Sequence, residues 1–173
     1  MTKILKSPYL IDLLGSKLLR YLSKSDIETV ELGKKLGLML SDGDVVALSG
    51  TLGSGKTWFT KGIGLGFGVD PDEVISSPSF SLVNEYEGRS LMYHIDLYRL
   101  NSMNDVMSIG LDDYFNDTDL VVIEWAERCP EILPANFIRV TIEIVGDNER
   151  SIDISSDNKD FLNRLNSSIR YEY

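Results

Sequence analysis

Gly50-Thr51-Leu52-Gly53-Ser54-Gly55-Lys56-Thr57 constrains this chain more than any other stretch. It fits the G-x-x-x-x-G-K-[ST] spacing of a phosphate-binding loop, follows the apolar run Val45-Val46-Ala47-Leu48, and opens a segment able to wind into a helix. A strand must deliver the chain to a tight bend, and a helix must leave it. The glycines let successive N–H groups turn inward on one oxygen-rich ligand with no Cβ in the way. The positive end of the following helix adds to the same spot. Lys56 can then reach the β- and γ-phosphates, and the Thr57 hydroxyl can hold Mg²⁺. The pattern implies a bound nucleoside triphosphate.

The rest of the chain supplies a sheet for that loop. Ser25-Asp26-Ile27-Glu28 has capping-box spacing, and the helix it starts carries Ile27, Val30, Leu36 and Leu40 up to the turn cluster Ser41–Asp44. After the loop, Gly62, Gly64, Gly66 and Gly68 alternate. Each mid-helix glycine costs about 1 kcal/mol relative to Ala, which predicts an early helix end near Gly64 or Gly66. Ser81–Tyr86 and Leu91–Asp96 alternate about the turn Glu87–Ser90, and Phe137–Val145 and Arg150–Ser155 about Gly146–Glu149: two hairpins. Ser102 to Phe115 reads as a helix broken at Gly110. Leu120–Ile123 is apolar on both faces, as in a strand covered by helices on each side. Ser156–Asn158 precede a last helix with Phe161, Leu162, Leu165 and Ile169 on one face. At the other end, Leu10, Leu13, Leu14, Lys17, Leu18 and Tyr21 fit one face of a helix. The expected architecture is a three-layer α/β domain spanning residues 1–173, its mixed sheet having a parallel core and antiparallel hairpin additions. It divides into an N-terminal helical extension (1–24), a core (25–155) and a C-terminal helix (156–173). Ligands of such a sheet bind beyond the carboxyl ends of its strands, where the loop after Leu48 and the pair after Ile123 would both lie.

Composition narrows the partners. The net charge is −10, from 17 basic against 27 acidic residues. A broad direct grip on RNA, DNA or anionic membrane needs a basic surface, which this balance argues against. The single cysteine, Cys129, excludes an internal disulfide and suits a reducing, cytoplasmic location. Asp12, Lys17 and Arg20 interrupt the N-terminal apolar run, so neither a signal peptide nor a membrane span is expected.

A nucleotide pocket needs a carboxylate at the end of a neighbouring buried strand, to hold Mg²⁺ directly or through water. Glu124 ends the most apolar strand, where an acid has no packing use. Asp96 ends Leu91–Ile95 and is followed by Tyr98 and Arg99. It could serve the metal, orient the attacking water, or pair with Arg99. By period-two alternation His94, the only histidine, shares a face with Asp96, and a core or supporting role fits it better than that of a base.

Taken together, Gly50–Thr57, Ser77-Pro78-Ser79-Phe80-Ser81-Leu82-Val83-Asn84-Glu85-Tyr86, His94-Ile95-Asp96-Leu97-Tyr98-Arg99-Leu100 and Ile123-Glu124-Trp125 resemble the TsaE (YjeE) family, from about Ser25 to Ser155. That resemblance implies a small bacterial P-loop ATPase of tRNA threonylcarbamoyladenosine biosynthesis. It would use ATP and Mg²⁺ inside a complex with a TsaD-like transferase subunit and its TsaB-like paralogue. The complex modifies adenosine 37 of tRNA, which this chain meets only indirectly, and ATP hydrolysis resets it between turnovers. By resemblance, Lys56, Asp96 and Glu124 carry hydrolysis, and Thr57, Glu124 and Asp96 serve the metal. Thr29, Gly50, Thr51, Gly53, Ser54, Gly55, Lys56, Thr57, Trp58, Ser79, Trp125 and Arg150 line or approach the nucleotide. Departures are Thr51 where the family usually has Asp or Glu, Ser54 where Ala is common, Trp58 in place of a second hydroxyl residue, and Ser79 in place of Thr.

Other readings compete. A small-molecule or nucleotide kinase of the P-loop class would want an acceptor pocket and an arginine-rich lid, and the sequence has no arginine cluster. A GTP-driven switch would want Asp-x-x-Gly and Asn-Lys-x-Asp after the loop; Asp12–Gly15 precedes it and Asn158-Lys159-Asp160 is misspaced. A non-catalytic assembly subunit would use nucleotide only as structural glue.

Overall fold

The computed structural model describes residues 9–13, 16–100, 103–108 and 110–170. In chain order the strands are β1 (Tyr9–Leu13), β2 (Ser16–Ser23), β3 (Val45–Ser49), β4 (Val83–Glu87), β5 (Leu91–Asp96), β6 (Leu120–Glu124), β7 (Ile138–Ile144) and β8 (Arg150–Ser155). The helices are α1 (Asp26–Gly37), α2 (Lys56–Phe67), α3 (Met103–Ser108) and α4 (Lys159–Arg170), with short 3₁₀ turns at Leu111–Tyr114, Ala126–Arg128 and Pro130–Ile132. The strands form one eight-stranded sheet in the order β1-β2-β8-β7-β3-β6-β5-β4. Its centre, β7-β3-β6-β5, is parallel, and β4, β8, β2 and β1 join antiparallel. The mixed, three-layer architecture expected from the sequence is the one observed.

Two apolar layers follow from the pleat. Val46, Leu48, Met92 and Val122 point to the side covered by α1, α2 and α4, where they meet Leu36, Phe59, Ile63, Phe67, Phe161 and Leu165. Val45, Ala47, Ile95, Val121 and Ile123 point the other way, toward Val106, Leu111, Ala126 and Cys129. A strand buried on both faces has no use for alternation, which is why Leu120–Ile123 reads as continuous apolar sequence.

Three expectations need correction. The N-terminal stretch is a β-hairpin, not a helix. Beyond β7, the outer edge of β8 would otherwise carry unpaired N–H and C=O groups, and β2 covers it from Leu18↔Ser155 to Ser23↔Arg150. Arg20 donates through Nε and Nη2 to the Asp153 carboxylate across that pairing (2.6 and 2.5 Å), and Leu19 is fully buried. Adjacent leucines such as Leu18-Leu19 fit either period, so the helical pattern there is degenerate.

Secondly, α2 runs through Gly62, Gly64 and Gly66 to Phe67, and ends on the left-handed Gly68 (φ +99°). Contact with α1 offsets the cost of its glycines. A Cβ on Gly62 would sit 2.1 Å from the Val30 carbonyl oxygen, one on Gly66 2.1 Å from that of Lys34, and one on Gly33 2.3 Å from that of Phe59. The two helices touch backbone to backbone.

Thirdly, α1 does not bury Ile27, which is 75% exposed; Thr29, Leu32, Gly33, Leu36 and Gly37 form its inner face. Its cap is as predicted, with the Ser25 hydroxyl accepting from Glu28 N–H, although Glu28 reaches back to the N–H of Lys24 rather than of Ser25. The helix break at Gly110 is observed: α3 ends at Ser108, and Gly110 is left-handed before the 3₁₀ turn. Asn158 caps α4 by accepting from Phe161 N–H (3.0 Å).

Candidate functional site

The parallel strands bring the predicted groups to one edge. In register, Leu48 of β3 lies opposite Glu124 of β6, and Glu124 opposite Asp96 of β5. The loop that follows Ser49 therefore opens directly beside both carboxylates. Gly50, Gly53 and Gly55 take φ of +148°, +77° and +105°, conformations L side chains resist. A Cβ on Gly50 would also meet the Ile142 carbonyl oxygen at 2.4 Å, whereas one on Gly53 would meet nothing within 4 Å. Gly55 caps α2 without a side-chain hydrogen bond, so the cap leaves the first-turn amides of a 12-residue helix available to an anion. The loop is a cradle that side chains would fill.

Lys56 is 5% exposed, and its Nζ donates to the carbonyls of Gly50 (2.7 Å) and Thr51 (3.0 Å) while lying 3.7 Å above the centre of the Trp125 ring. Burial holds its pKa below the ordinary lysine value, opposed by the charges of Glu124, Glu127 and Asp96. Trp125 is left-handed (φ +62°), which turns the chain sharply after β6, and its ring packs on Tyr98 at 4.9 Å.

The acids are buried and held. Glu124 is 2% exposed; Oε2 accepts from the Thr57 hydroxyl (3.3 Å) and Oε1 lies 2.9 Å from His94 Nε2. Asp96 accepts from the Ser77 hydroxyl (2.5 Å) and from Tyr98 N–H (2.8 Å). Arg99 stacks over the Phe80 ring at 4.1 Å, so the Asp96–Arg99 pairing considered from the sequence is replaced by these bonds. The donors near the loop are hard oxygens, the kind Mg²⁺ takes. No group of three or more His, Cys, Asp or Glu among the described residues is placed to hold a metal alone.

A cleft of about 410 Å³ opens above this arrangement. Of the predicted site residues it is lined by Gly53, Gly55, Lys56, Thr57, Trp58, Ser79, Asp96, Glu124 and Trp125. Gly50, Thr51 and Ser54 belong to the loop but not to the lining. Thr29 lies beneath the loop: its Cγ2 would be 3.9 Å from a Cβ on Gly55, and its hydroxyl donates to the Ser25 carbonyl. Arg150 also stays outside the cleft. Its guanidinium donates to the carbonyls of Ser54 (3.0 Å), Gly53 (3.4 Å) and Gly146 (3.2 Å), tying the β7–β8 turn to the back of the loop. It braces the loop from outside the cleft.

Sequence reasoning passes over several neighbours. Ser77, Tyr98, Arg99 and Leu52 line the cleft, and Glu127 accepts from Gly50 N–H (3.3 Å). Ser77 sits in the polar run Ser76–Ser79, a visible signal; the Glu127 contact depends on the turn after Trp125, which the sequence does not display. Of the lining residues Leu52, Trp58 and Tyr98 are 72%, 45% and 41% exposed, and Phe80, under the Arg99 guanidinium, is 83% exposed.

Comparison with known proteins places the chain in a family. Residues 23–152 match the sequence model of the family described as Threonylcarbamoyl adenosine biosynthesis protein TsaE. The chain is 39% identical over 137 residues to the tRNA threonylcarbamoyladenosine biosynthesis protein TsaE of Treponema pallidum, covering 79% of this chain and all of that one. To the protein of the same name from Bacillus subtilis it is 35% identical over 141 residues, 81% of this chain and 87% of the relative. The crystal structure of Bacillus subtilis YdiB superposes with a TM-score of 0.74 at 31% identity, over 91% of this chain and 98% of that one.

Proposed function

The chain belongs to the TsaE family, with its role in tRNA threonylcarbamoyladenosine biosynthesis, and from that premise we propose that it is a Mg²⁺-dependent ATPase working inside the modifying complex. One observation carries the reading. Lys56 and Thr57, at the start of α2 on a left-handed glycine loop, face Glu124 and Asp96 at the ends of adjacent parallel strands.

In this reading the amides of the loop and of the first turn of α2 bind the triphosphate. Lys56 Nζ exchanges the Gly50 and Thr51 carbonyls for β- and γ-phosphate oxygens. Thr57 and Glu124, already in contact, would hold Mg²⁺, whose charge offsets that of the phosphates. Asp96, fixed by Ser77 and Tyr98 N–H, orients the attacking water. An arginine finger can be worth about 10³–10⁵ in rate. Here Arg150 is bonded to loop carbonyls and Arg99 lies on Phe80. Turnover by the isolated chain is therefore slow, and partners raise it.

The partners proposed are a TsaD-like transferase subunit and its TsaB-like paralogue, acting in the cytoplasm. The exposed apolar rim of the cleft supports a protein contact there. A net charge of −10 supports leaving tRNA to those partners. No helix among the described residues is long and apolar enough to cross a membrane. Phosphate release from ATP, measured with and without the two partner proteins, tests the assignment. Lys56→Ala and Glu124→Ala should each abolish turnover, and wild-type rates in either would remove the site from the account. Transfer of the γ-phosphoryl group to an added nucleoside would favour the kinase reading instead.

A further inference from the structure

His94 is fully buried in the middle of β5, opposite Val122 in the register and on the face that otherwise holds Met92, Val122 and Leu48. An imidazole there forfeits packing that an aliphatic chain would supply, and it must find a partner or bear a desolvation cost. Its one polar contact among the described residues is Nε2 to Glu124 Oε1 at 2.9 Å; Nδ1 has none. A proton on Nδ1 would bury a donor with no acceptor, so the ring proton belongs on Nε2, where it is donated to the carboxylate.

The Glu124 carboxylate is thereby held from both sides. Oε1 is committed to His94, and Oε2 is left at the Thr57 hydroxyl, on the cleft side. Without the imidazole, the long bond from Thr57 alone would fix the rotation of the carboxylate, and both oxygens would compete for the ammonium of nearby Lys56. We infer that His94 is a positioning residue: it orients Glu124 so that one oxygen faces Thr57, and so sets the affinity of the site for a divalent cation. The inference rests on the reading of Thr57 and Glu124 as cation ligands.

Mn²⁺ affinity, read by electron paramagnetic resonance in the presence of ADP, tests this alongside ADP affinity in excess EDTA and thermal unfolding. His94→Leu fills the space and removes the donor. It should weaken Mn²⁺ binding by roughly 10–100-fold, the usual effect of losing the hydrogen bond that orients a ligating group, and leave metal-free ADP affinity unchanged. His94→Gln, whose amide can reach Glu124, should bind Mn²⁺ close to wild type; His94→Asn, too short to reach, should behave like His94→Leu. If His94→Leu does not fold, the Gln and Asn variants decide by the same criterion. Equal Mn²⁺ affinity in Gln and Asn, or in folded His94→Leu and wild type, would overturn the proposal. Glu124→Gln separates the two levels. Should it leave Mn²⁺ binding intact, the ligand assignment itself fails; should it abolish binding while the His94 variants bind normally, only the role of His94 falls.

Discussion

Of the seven glycines from Gly50 to Gly68, two pairs in two regions need glycine for opposite reasons. In the loop, Gly53 and Gly55 have left-handed backbones and open surroundings; the constraint is φ alone. In α2, Gly62 and Gly66 have helical backbones and no space, because α1 lies against them. The two regions share one helix and are coupled through it. The loop presents its amides correctly only if α2 is seated, and α2 is seated by backbone contact with α1. Gly64 is a third kind, since a Cβ there would meet the tip of Ile75 at 2.3 Å rather than backbone.

This contrast can be broken by substitution. The largest effect is expected for Gly62→Ala. Helix propensity alone favours Ala by about 1 kcal/mol, yet the new methyl would strike the Val30 carbonyl and the Gly33 Cα, at 2.1 and 2.9 Å. We expect a net loss of about 3 kcal/mol in urea unfolding, as for an overpacked core; unchanged stability would mean that the helices separate easily. Gly53→Ala should cost less, about 1–2 kcal/mol for a left-handed alanine, while weakening ATP binding in a protein that remains folded. Loss of stability without loss of nucleotide affinity would contradict the division. Gly64→Ala should be close to neutral, the gain of about 1 kcal/mol in helix propensity offsetting the repacking of Ile75. A cost equal to that of Gly62→Ala would show that side-chain and backbone neighbours are not distinguishable here.

The same contrast explains what the sequence can show. The loop is legible because its chemistry is local: eight consecutive residues carry the amides, the ammonium and the hydroxyl. Glu124 and Asp96 are legible because each ends an apolar strand whose carboxyl end must meet the loop in a parallel sheet. The contact of His94 with Glu124 is not, since it depends on the β5–β6 register, which no single strand encodes. The course of α2 is hidden for a related reason. A mid-helix glycine looks like a cost until the partner helix is known, and the partner, Gly33 and Gly37 in α1, lies some distance back in the chain. The N-terminal hairpin is masked by paired leucines that satisfy both periods, and only the open edge of β8 resolves them. The resemblance implies Arg150 near the nucleotide, and the structure keeps it out of the cleft. It bonds to the carbonyls of Gly53 and Ser54 and holds the loop from behind.

Titration calorimetry of ATP into the folded protein, with Mg²⁺ and with EDTA, probes the central claim most directly. Magnesium-dependent binding that is present in the wild type and lost in Lys56→Ala is the predicted result. A folded wild-type chain that releases no heat with ATP under either condition, or a Lys56→Ala variant that binds as well as the wild type, would contradict it.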